Sequence, residues 1–183
     1  MSNYMPEAEV IIRTALYFIR NHITEGPVKI SIDGAHIKTG DTVHFKIKDF
    51  LKENGCVKTD GNEVRWQGTY KINEYNPSLE IVSRSGEGDV VIPLASGKRL
   101  LIEAKKGGGD MKGNQEYPLM REAIGQVLTN GNYDQNTILG VAVPCTEKSR
   151  ELADRWSKYE LIRRCEITFL LVESDGNVVI IGG

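Results

Sequence analysis

The segment that decides the fold class spans residues 88–105 and reads GDVVIPLASGKRLLIEAK. Two apolar runs of strand length, 89–94 and 99–104, flank a loop at residues 95–97. Gly97 suits the left-handed position that closes a hairpin of this loop length. Both runs are apolar on both faces, which is typical of strands in a sheet that is covered on each side. The segment therefore predicts a central hairpin in an α/β protein.

Three charged residues lie at the open end of this predicted hairpin. The loop length places Asp89 directly opposite Glu103, with their Cβ atoms about 5 Å apart, unless a bulge shifts the register. Lys105 lies two residues beyond Glu103, and the two-residue period of a strand puts both side chains on one face. Glu and Lys are normally excluded from the ends of such apolar strands. The position therefore favours a functional site over the alternative, an edge salt bridge.

This arrangement of charges is suited to binding a hard cation. The carboxylates of Asp89 and Glu103, together with the Ala104 carbonyl, form an oxygen-only set of the kind that Mg²⁺ accepts, with Mn²⁺ as a possible substitute. A bound metal ion polarises a phosphoryl oxygen and activates water, and the Lys105 ammonium offsets developing charge. Hydrolysis of a phosphodiester is the reaction class that this set indicates.

The rest of the chain predicts alternating helices and strands in a single domain, 1–183. Before the hairpin we predict a helix over 6–22, a strand over 28–32, a helix over 41–54 and a second hairpin from 56–58 and 64–72. Residues 26–72 are interpreted as an insertion of strand, helix and hairpin. After the central hairpin we predict a helix that begins at 117 and ends near Gly131, a buried strand over 137–143, a helix over 147–164 and strands over 167–172 and 178–181. This order indicates a mixed central sheet flanked by helices.

Composition excludes several classes of protein. A chain of 183 residues that is 40% hydrophobic and 26% charged is typical of a globular domain, not of a disordered or collagenous chain. The net charge of −2 gives no global attraction to nucleic acid or membrane, so any basic surface must be local. Three widely spaced cysteines do not fit a zinc site or a disulfide framework. The amino terminus lacks a signal-peptide pattern, and we expect a cytoplasmic protein with no membrane partner.

Other catalytic signatures are absent from the sequence. It contains no P-loop, no G-x-G-x-x-G motif after a strand and no G-x-S-x-G motif. The three histidines, His22, His36 and His44, lack a metal-ligand spacing, and we interpret them as surface or packing residues.

The charged end of the hairpin resembles the PD-(D/E)xK nuclease superfamily, which has the restriction-endonuclease-like fold. Gly88-Asp89 precedes Glu103-Ala104-Lys105 on the next strand, and a helix with Gln126 and a buried strand follow. Gly88 stands where the superfamily's name has Pro. The resemblance implies an α-β-β-β-α-β core over roughly residues 65–143, with the first helix in front. It also implies that Asp89 and Glu103 bind Mg²⁺ and that Lys105 is the catalytic lysine.

The resemblance implies further site residues on the helices. The superfamily often adds a Glu from the first helix, for which Glu9 is the best-placed candidate and Glu80 the second. Gln126 is a candidate catalytic residue on the later helix. Some branches carry Tyr four residues after this Gln, whereas Asn130 stands there in this sequence.

The implied activity is Mg²⁺-dependent hydrolysis of nucleic-acid phosphodiester bonds by an endonuclease-like hydrolase. DNA is the expected substrate, although the residues leave DNA against RNA, and internal against terminal cleavage, open. Lys106 and Lys112, which flank the glycine loop at 107–109, are expected to contact phosphates. Two alternatives stay open: a non-cleaving DNA-binding or regulatory module of the same fold, and a subunit whose insertion mainly holds a protein partner or forms a homodimer.

Overall fold

The computed structural model describes residues 4–83, 86–107, 115–131 and 133–183, which form a mixed α/β protein. The helices in these ranges are α1 (Glu7–Arg20), α2 (Gly34–Ile37), α3 (Ile47–Glu53), α4 (Glu116–Leu128), α5 (Glu147–Trp156) and α6 (Glu160–Arg164). None of the helices in the described ranges is long and apolar enough to cross a membrane. The strands are β1 (Val28–Ser31), β2 (Lys38–Thr39), β3 (Thr42–Val43), β4 (Cys56–Lys58), β5 (Gly68–Ile72), β6 (Tyr75–Val82), β7 (Val90–Pro93), β8 (Arg99–Ala104), β9 (Thr137–Pro144), β10 (Thr168–Val172) and β11 (Val178–Ile181).

Nine of the strands in the described ranges form one sheet, in the order β11-β10-β9-β8-β7-β1-β6-β5-β4. The β1–β6, β8–β9 and β9–β10 pairs are parallel. The other neighbours in this sheet are antiparallel. The mixed sheet predicted from the sequence is therefore confirmed. β2 and β3 form a separate two-stranded hairpin.

The central hairpin has the predicted register. Val90 pairs with Ile102, and Pro93 pairs with Arg99. At the loop, Leu94 N donates to the Lys98 carbonyl at 2.8 Å, and Gly97 adopts a φ of 76°. Glycine adopts this left-handed conformation without the strain that a Cβ would cause. Because β9 and β1 continue the sheet on either side, the hairpin lies in its middle.

Helices cover both faces of this sheet, as its apolar strands predict. On one face, α1 packs through Ile11 and Leu16 in a core that also includes Ile30 and Ile92. On the other face, α4 and α5 pack in a second core with Leu101, Phe169 and other sheet residues. Neighbouring residues of one strand enter different cores because successive side chains of a strand point to opposite faces.

The helix predicted over 41–54 is wrong at its beginning. Thr42 and Val43 form β3, and α3 begins only at Ile47. Gly40 adopts a φ of 57° and, with Asp41, connects β2 to β3, a geometry that favours a tight hairpin over a helix cap. The predicted end is correct, since α3 ends before Gly55.

The helix predicted over 147–164 is two helices. Tyr159 has extended backbone, with a ψ of 133°, and α6 begins after it. Trp156 and Ile162 would lie about 120° apart around one continuous helix, so their side chains would not point in the same direction. The break allows both side chains to pack against the second core.

Strand β6 is absent from the sequence-based expectations. It contains Pro77 and several polar residues, which obscure the alternation of the buried Leu79 and Ile81. It pairs in parallel with β1, which lies between β6 and β7. The segment 26–72, interpreted as an insertion, thus supplies a strand near the middle of the sheet. Its β4–β5 hairpin forms one edge, and β5 begins at Gly68, later than the predicted 64.

Candidate functional site

The open end of the β7–β8 hairpin holds Asp89 through its backbone. Asp89 N donates to the Ile102 carbonyl at 3.0 Å, and the Asp89 carbonyl accepts from Ser31 N at 2.9 Å. Gly88 adopts a φ of 141°, and a Cβ at this position would lie 3.0 Å from Leu101 Cδ2. Only glycine can adopt this positive φ and also fit this close to Leu101 without strain. The Gly88-Asp89 pair therefore fixes where the Asp89 side chain leaves the sheet.

The carboxyl groups of Asp89 and Glu103 are hydrogen-bonded to each other. Burial, followed by the Asp89 charge and this hydrogen bond, raises the pKa of Glu103 to about 7, so the pair shares a proton near neutral pH. Asp89 Oδ2 also accepts from Ala104 N at 2.9 Å. Burial raises the pKa of Asp89, although the Ala104 N–H and the Lys105 charge oppose this effect. Two carboxyl groups held this closely need a proton or a metal ion between them.

Asn130 connects this pair to the segment that follows α4. Its side chain donates to the Glu103 carboxylate, which lowers the pKa of Glu103 against the effect of burial. Asn130 Nδ2 also donates to the Glu87 carbonyl at 2.8 Å, just before Gly88. Asn130 therefore holds the Glu103 side chain and the Glu87 backbone together.

Lys105 completes the cluster at this end of the sheet. It is only 8% exposed, and its charge lowers the pKa of both Asp89 and Glu103 against the effect of burial. Its Nζ atom lies 3.1 Å from Glu122 Oε1 on α4. The structure thus brings Asp89, Glu103 and Lys105 together, with Glu122 as a further partner of the ammonium.

Glu7, in the first turn of α1, lies near the same cluster. Burial raises the pKa of Glu7, whereas the charges of Lys105 and His36 lower it. His36 Nδ1 on α2 lies 3.3 Å from Glu7 Oε1. A cavity of about 130 Å³ beside Asp89 has Glu7, His36 and Ser31 in its lining, and it has room for several water molecules.

Glu9 and Glu80, the two residues predicted from the sequence as the additional acid of the site, do not occupy the position that Glu7 occupies. Glu9 Oε1 is 2.7 Å from Arg13 Nε, and Glu9 lines a different cavity, at the ends of β9 and β10. Two residues along a helix correspond to about 200° of rotation, so Glu7 and Glu9 point in nearly opposite directions. Glu80 lies within β6, opposite Lys29 on β1 and Thr69 on β5.

Gln126 and Lys106, the remaining predicted site residues within the described ranges, show no hydrogen bond or ion pair with Asp89 or Glu103. Gln126 is exposed, and its Nε2 atom lies 3.5 Å from Glu122 Oε1. Lys106 is exposed and follows Lys105, so it is available to a ligand. Lys112 lies outside the described residues.

Sequence-based reasoning did not identify three residues near the cluster as site residues: Glu7, His36 and Asn130. Glu7 precedes the buried Ile11 by four residues, so the apolar stripe of α1 already places it on the inner side. Asn130 stands four residues after Gln126, where some branches of the resembled superfamily carry a Tyr. This position was a signal that Asn130 lies near the site. His36 is exposed, in agreement with its interpretation as a surface residue, but no local motif marks its long-range contact with Glu7.

The donor set fits a divalent ion that keeps much of its hydration shell. Among the described residues, no three His, Cys, Asp or Glu side chains are arranged as a ready metal site. The chain offers Asp89, Glu103 and the Ala104 carbonyl, which points to the same side of β8 as the Ala104 N–H that contacts Asp89. Mg²⁺ commonly binds through one or two carboxylates and several waters, so this set suits it.

Comparison with known proteins adds no relative: no family model, curated protein or solved structure matches this chain.

Proposed function

We propose that this protein is a Mg²⁺-dependent nuclease that hydrolyses phosphodiester bonds, with DNA as the substrate. One observation carries the proposal: two hydrogen-bonded carboxyl groups and a buried lysine meet at the end of apolar strands. An ionised Asp89 beside an ionised Glu103 costs the protein stability, because burial and proximity disfavour both charges. A bound metal ion would neutralise the two carboxylates, so a metal-dependent reaction explains why they lie together.

Each residue has a distinct part in the proposed reaction. Asp89 and Glu103, with the Ala104 carbonyl, would hold a Mg²⁺ ion, which would polarise the phosphate and lower the pKa of water. The Lys105 ammonium orients the attacking water and offsets the charge that grows on the phosphate oxygens. Glu122 holds Lys105 at 3.1 Å and so limits its rotamers.

Glu7 takes the part that the sequence assigned to Glu9. Its carboxyl group interacts electrostatically with both Lys105 and Asp89. From the first turn of α1 it can accept a hydrogen bond from a water in the 130 Å³ cavity. Glu7 therefore orients water next to the carboxylate pair.

Nucleic acid is the substrate class that agrees with the resemblance of residues 88–105. A diester carries one negative charge and no exchangeable proton, so its hydrolysis depends on charge neutralisation and an activated water. The site supplies cations for charge neutralisation and carboxylates for the activation of water. The exposed Lys106 adds a positive charge beside the pocket.

Cleavage of supercoiled plasmid with Mg²⁺, with an EDTA control, tests this function. The expected result is metal-dependent conversion of plasmid by the parent protein and none by Asp89→Asn or Glu103→Gln. Asp154→Asn, an exposed acid on α5, is the matched control and should cleave like the parent. Cleavage by Asp89→Asn at the parental rate would contradict the proposal. DNA binding by the parent protein without cleavage in any divalent ion would instead favour the non-cleaving module.

A further inference from the structure

A groove between α4 and the α5–α6 pair lies outside the carboxylate site. This open groove has a volume of about 470 Å³. Its lining includes Tyr117, Arg121 and Gly125 from α4, and Arg155, Trp156 and Tyr159 from the other side. Among the described residues that line it, none is acidic. The groove is thus locally cationic in a chain whose net charge is −2.

Two exposed tyrosines border the groove above a fixed aromatic floor. Tyr117 is 40% exposed, and its ring meets Trp156 at a centroid distance of 5.5 Å and an interplanar angle of 71°. Tyr159 is 52% exposed, whereas Trp156 is buried. Rings presented in this way lose little conformational freedom when a flat ligand stacks on them.

The two arginines are available for an anionic ligand. Arg121 lies over the Tyr117 ring at 5.4 Å, and in the described part of the chain no carboxylate lies within ion-pair distance of it. Arg155 Nη1 lies 3.5 Å from Glu151 Oε1, but this pair is exposed and contributes little to stability. A phosphate can therefore engage both guanidinium groups at small cost.

The interleaving of rings and guanidinium groups favours a single nucleic-acid strand over a protein helix. Unpaired bases stack on aromatic side chains while the backbone phosphates meet cations. A docking helix would need a continuous apolar stripe, which the two arginines interrupt. A Cβ on Gly125 would meet no atom within 4 Å, so a ligand can approach the α4 backbone there.

We infer that this groove binds an unpaired segment of a nucleic-acid strand, with bases on Tyr117 and Tyr159 and phosphates on Arg121 and Arg155. The inference rests on the proposed function in that this strand is part of the substrate. Glu122, the partner of Lys105, precedes Gly125 by three residues on α4, about 4.5 Å along the helix. A strand that leaves the carboxylate site can therefore cross α4 into the groove.

Fluorescence of Trp156 provides a local test. The chain has two tryptophans, so Trp66→Phe leaves Trp156 as the only reporter. Oligo(dT) of about 12 nucleotides, within the usual length of single-strand sites, is titrated in EDTA, which prevents cleavage and removes any metal contribution. Oligo(rU) and duplex DNA of the same length are titrated in parallel.

We expect the single strands to quench Trp156 and the duplex to bind more weakly. Arg121→Gln and Tyr159→Ala should each weaken binding about tenfold, and Arg121→Gln should reduce the salt slope by about one. Both side chains are exposed, so these variants should fold normally. The controls Arg164→Gln and Tyr133→Ala, which are exposed outside the groove lining, should bind like the parent.

Parental affinity in both groove variants, absence of quenching, or equal affinity for the duplex would each overturn the inference. These outcomes are separable from failure of the proposed function. If the parent cleaves plasmid with Mg²⁺ while both groove variants bind normally, only the groove assignment is wrong. If the parent cleaves nothing but the groove variants lose oligonucleotide affinity, only the hydrolytic function is wrong.

Discussion

The proton shared by Asp89 and Glu103 links the proposed chemistry to the stability of the protein. Glu103 has a pKa of about 7 in the folded chain, raised from 4.5 mainly by burial. As pH rises above 4.5, the unfolded chain loses this proton more readily than the folded chain does. The contribution of Glu103 to stability is therefore largest below that pH and is lost as pH rises through 7.

Removing this titration should flatten the pH dependence of stability. Between about pH 5 and about pH 8 in EDTA, the parent should lose on the order of 1–2 kcal/mol relative to Glu103→Gln, after discounting for solvent screening. Urea unfolding at both pH values measures the difference, and Glu53→Gln, an exposed acid on α3, is the control. A parent-minus-variant difference that does not change with pH would show that Glu103 titrates normally.

Lys105 should affect the rate of cleavage more than affinity, since its charge acts mainly on the transition state. Lys105→Met keeps the apolar stem and should lower the cleavage rate by roughly a hundredfold or more. Affinity for DNA in Ca²⁺ should fall only a few-fold, because one of several cations is lost. Single-turnover cleavage and fluorescence anisotropy measure the two effects.

The neighbouring Lys106→Met is the matched control for Lys105→Met. Lys106 is exposed and Lys105 is buried. We expect this control to reduce affinity slightly and to leave the single-turnover rate near the parental value. Equal rates for the parent and Lys105→Met would identify Lys105 as a structural counter-ion of Glu122.

At the level of elements, the β7–β8 hairpin was the most predictable part of the chain. Loop length and the position of Gly97 determine its register, and the register determines that Asp89 and Glu103 meet. The residues around it were less predictable because they come from separate elements. Glu7 and Asn130 reach the cluster from α1 and from the end of α4, contacts that depend on how the helices pack on the sheet.

Gly88→Ala tests how this hairpin positions its acid. The Cβ would face Leu101 at 3.0 Å at a φ of 141°, so we expect a loss of about 1–3 kcal/mol and a displaced Asp89. Gly97→Ala is the control, since its φ of 76° is strained but a Cβ there meets open space. It should destabilise by about 1 kcal/mol and keep cleavage. Thermal unfolding and plasmid cleavage distinguish the Gly88→Ala and Gly97→Ala variants. Full cleavage activity in a folded Gly88→Ala variant would contradict the role of Gly88 in positioning Asp89.

For the whole molecule, the layers were predictable but the order of the strands was not. Apolar runs on both faces imply a covered sheet, and the structure has helices on each side. The pairing of β1 with both β6 and β7 joins segments about 50–60 residues apart, and no local pattern encodes such a contact. β6, the second neighbour of β1, was not predicted because its polar residues obscure the strand pattern.

Metal binding should stabilise the whole protein if Asp89 and Glu103 hold the ion. Mg²⁺ at about 100 times its Kd contributes about 2.7 kcal/mol, which corresponds to a rise in Tm of about 5–10 °C for a chain of this size. The rise should be present near pH 8 and smaller near pH 5, where protons compete for Glu103. Differential scanning fluorimetry measures it, with Asp89→Asn expected to show almost no rise and Asp154→Asn the full one.

Anomalous diffraction from crystals soaked in Mn²⁺ tests most directly whether the two acids form a metal site. We predict a difference peak within coordination distance of carboxylate oxygens from both Asp89 and Glu103, and its loss in crystals of Asp89→Asn. Well-ordered density for both carboxyl groups with no peak between them, at Mn²⁺ concentrations that support cleavage, would contradict the assignment of this pair as the metal centre.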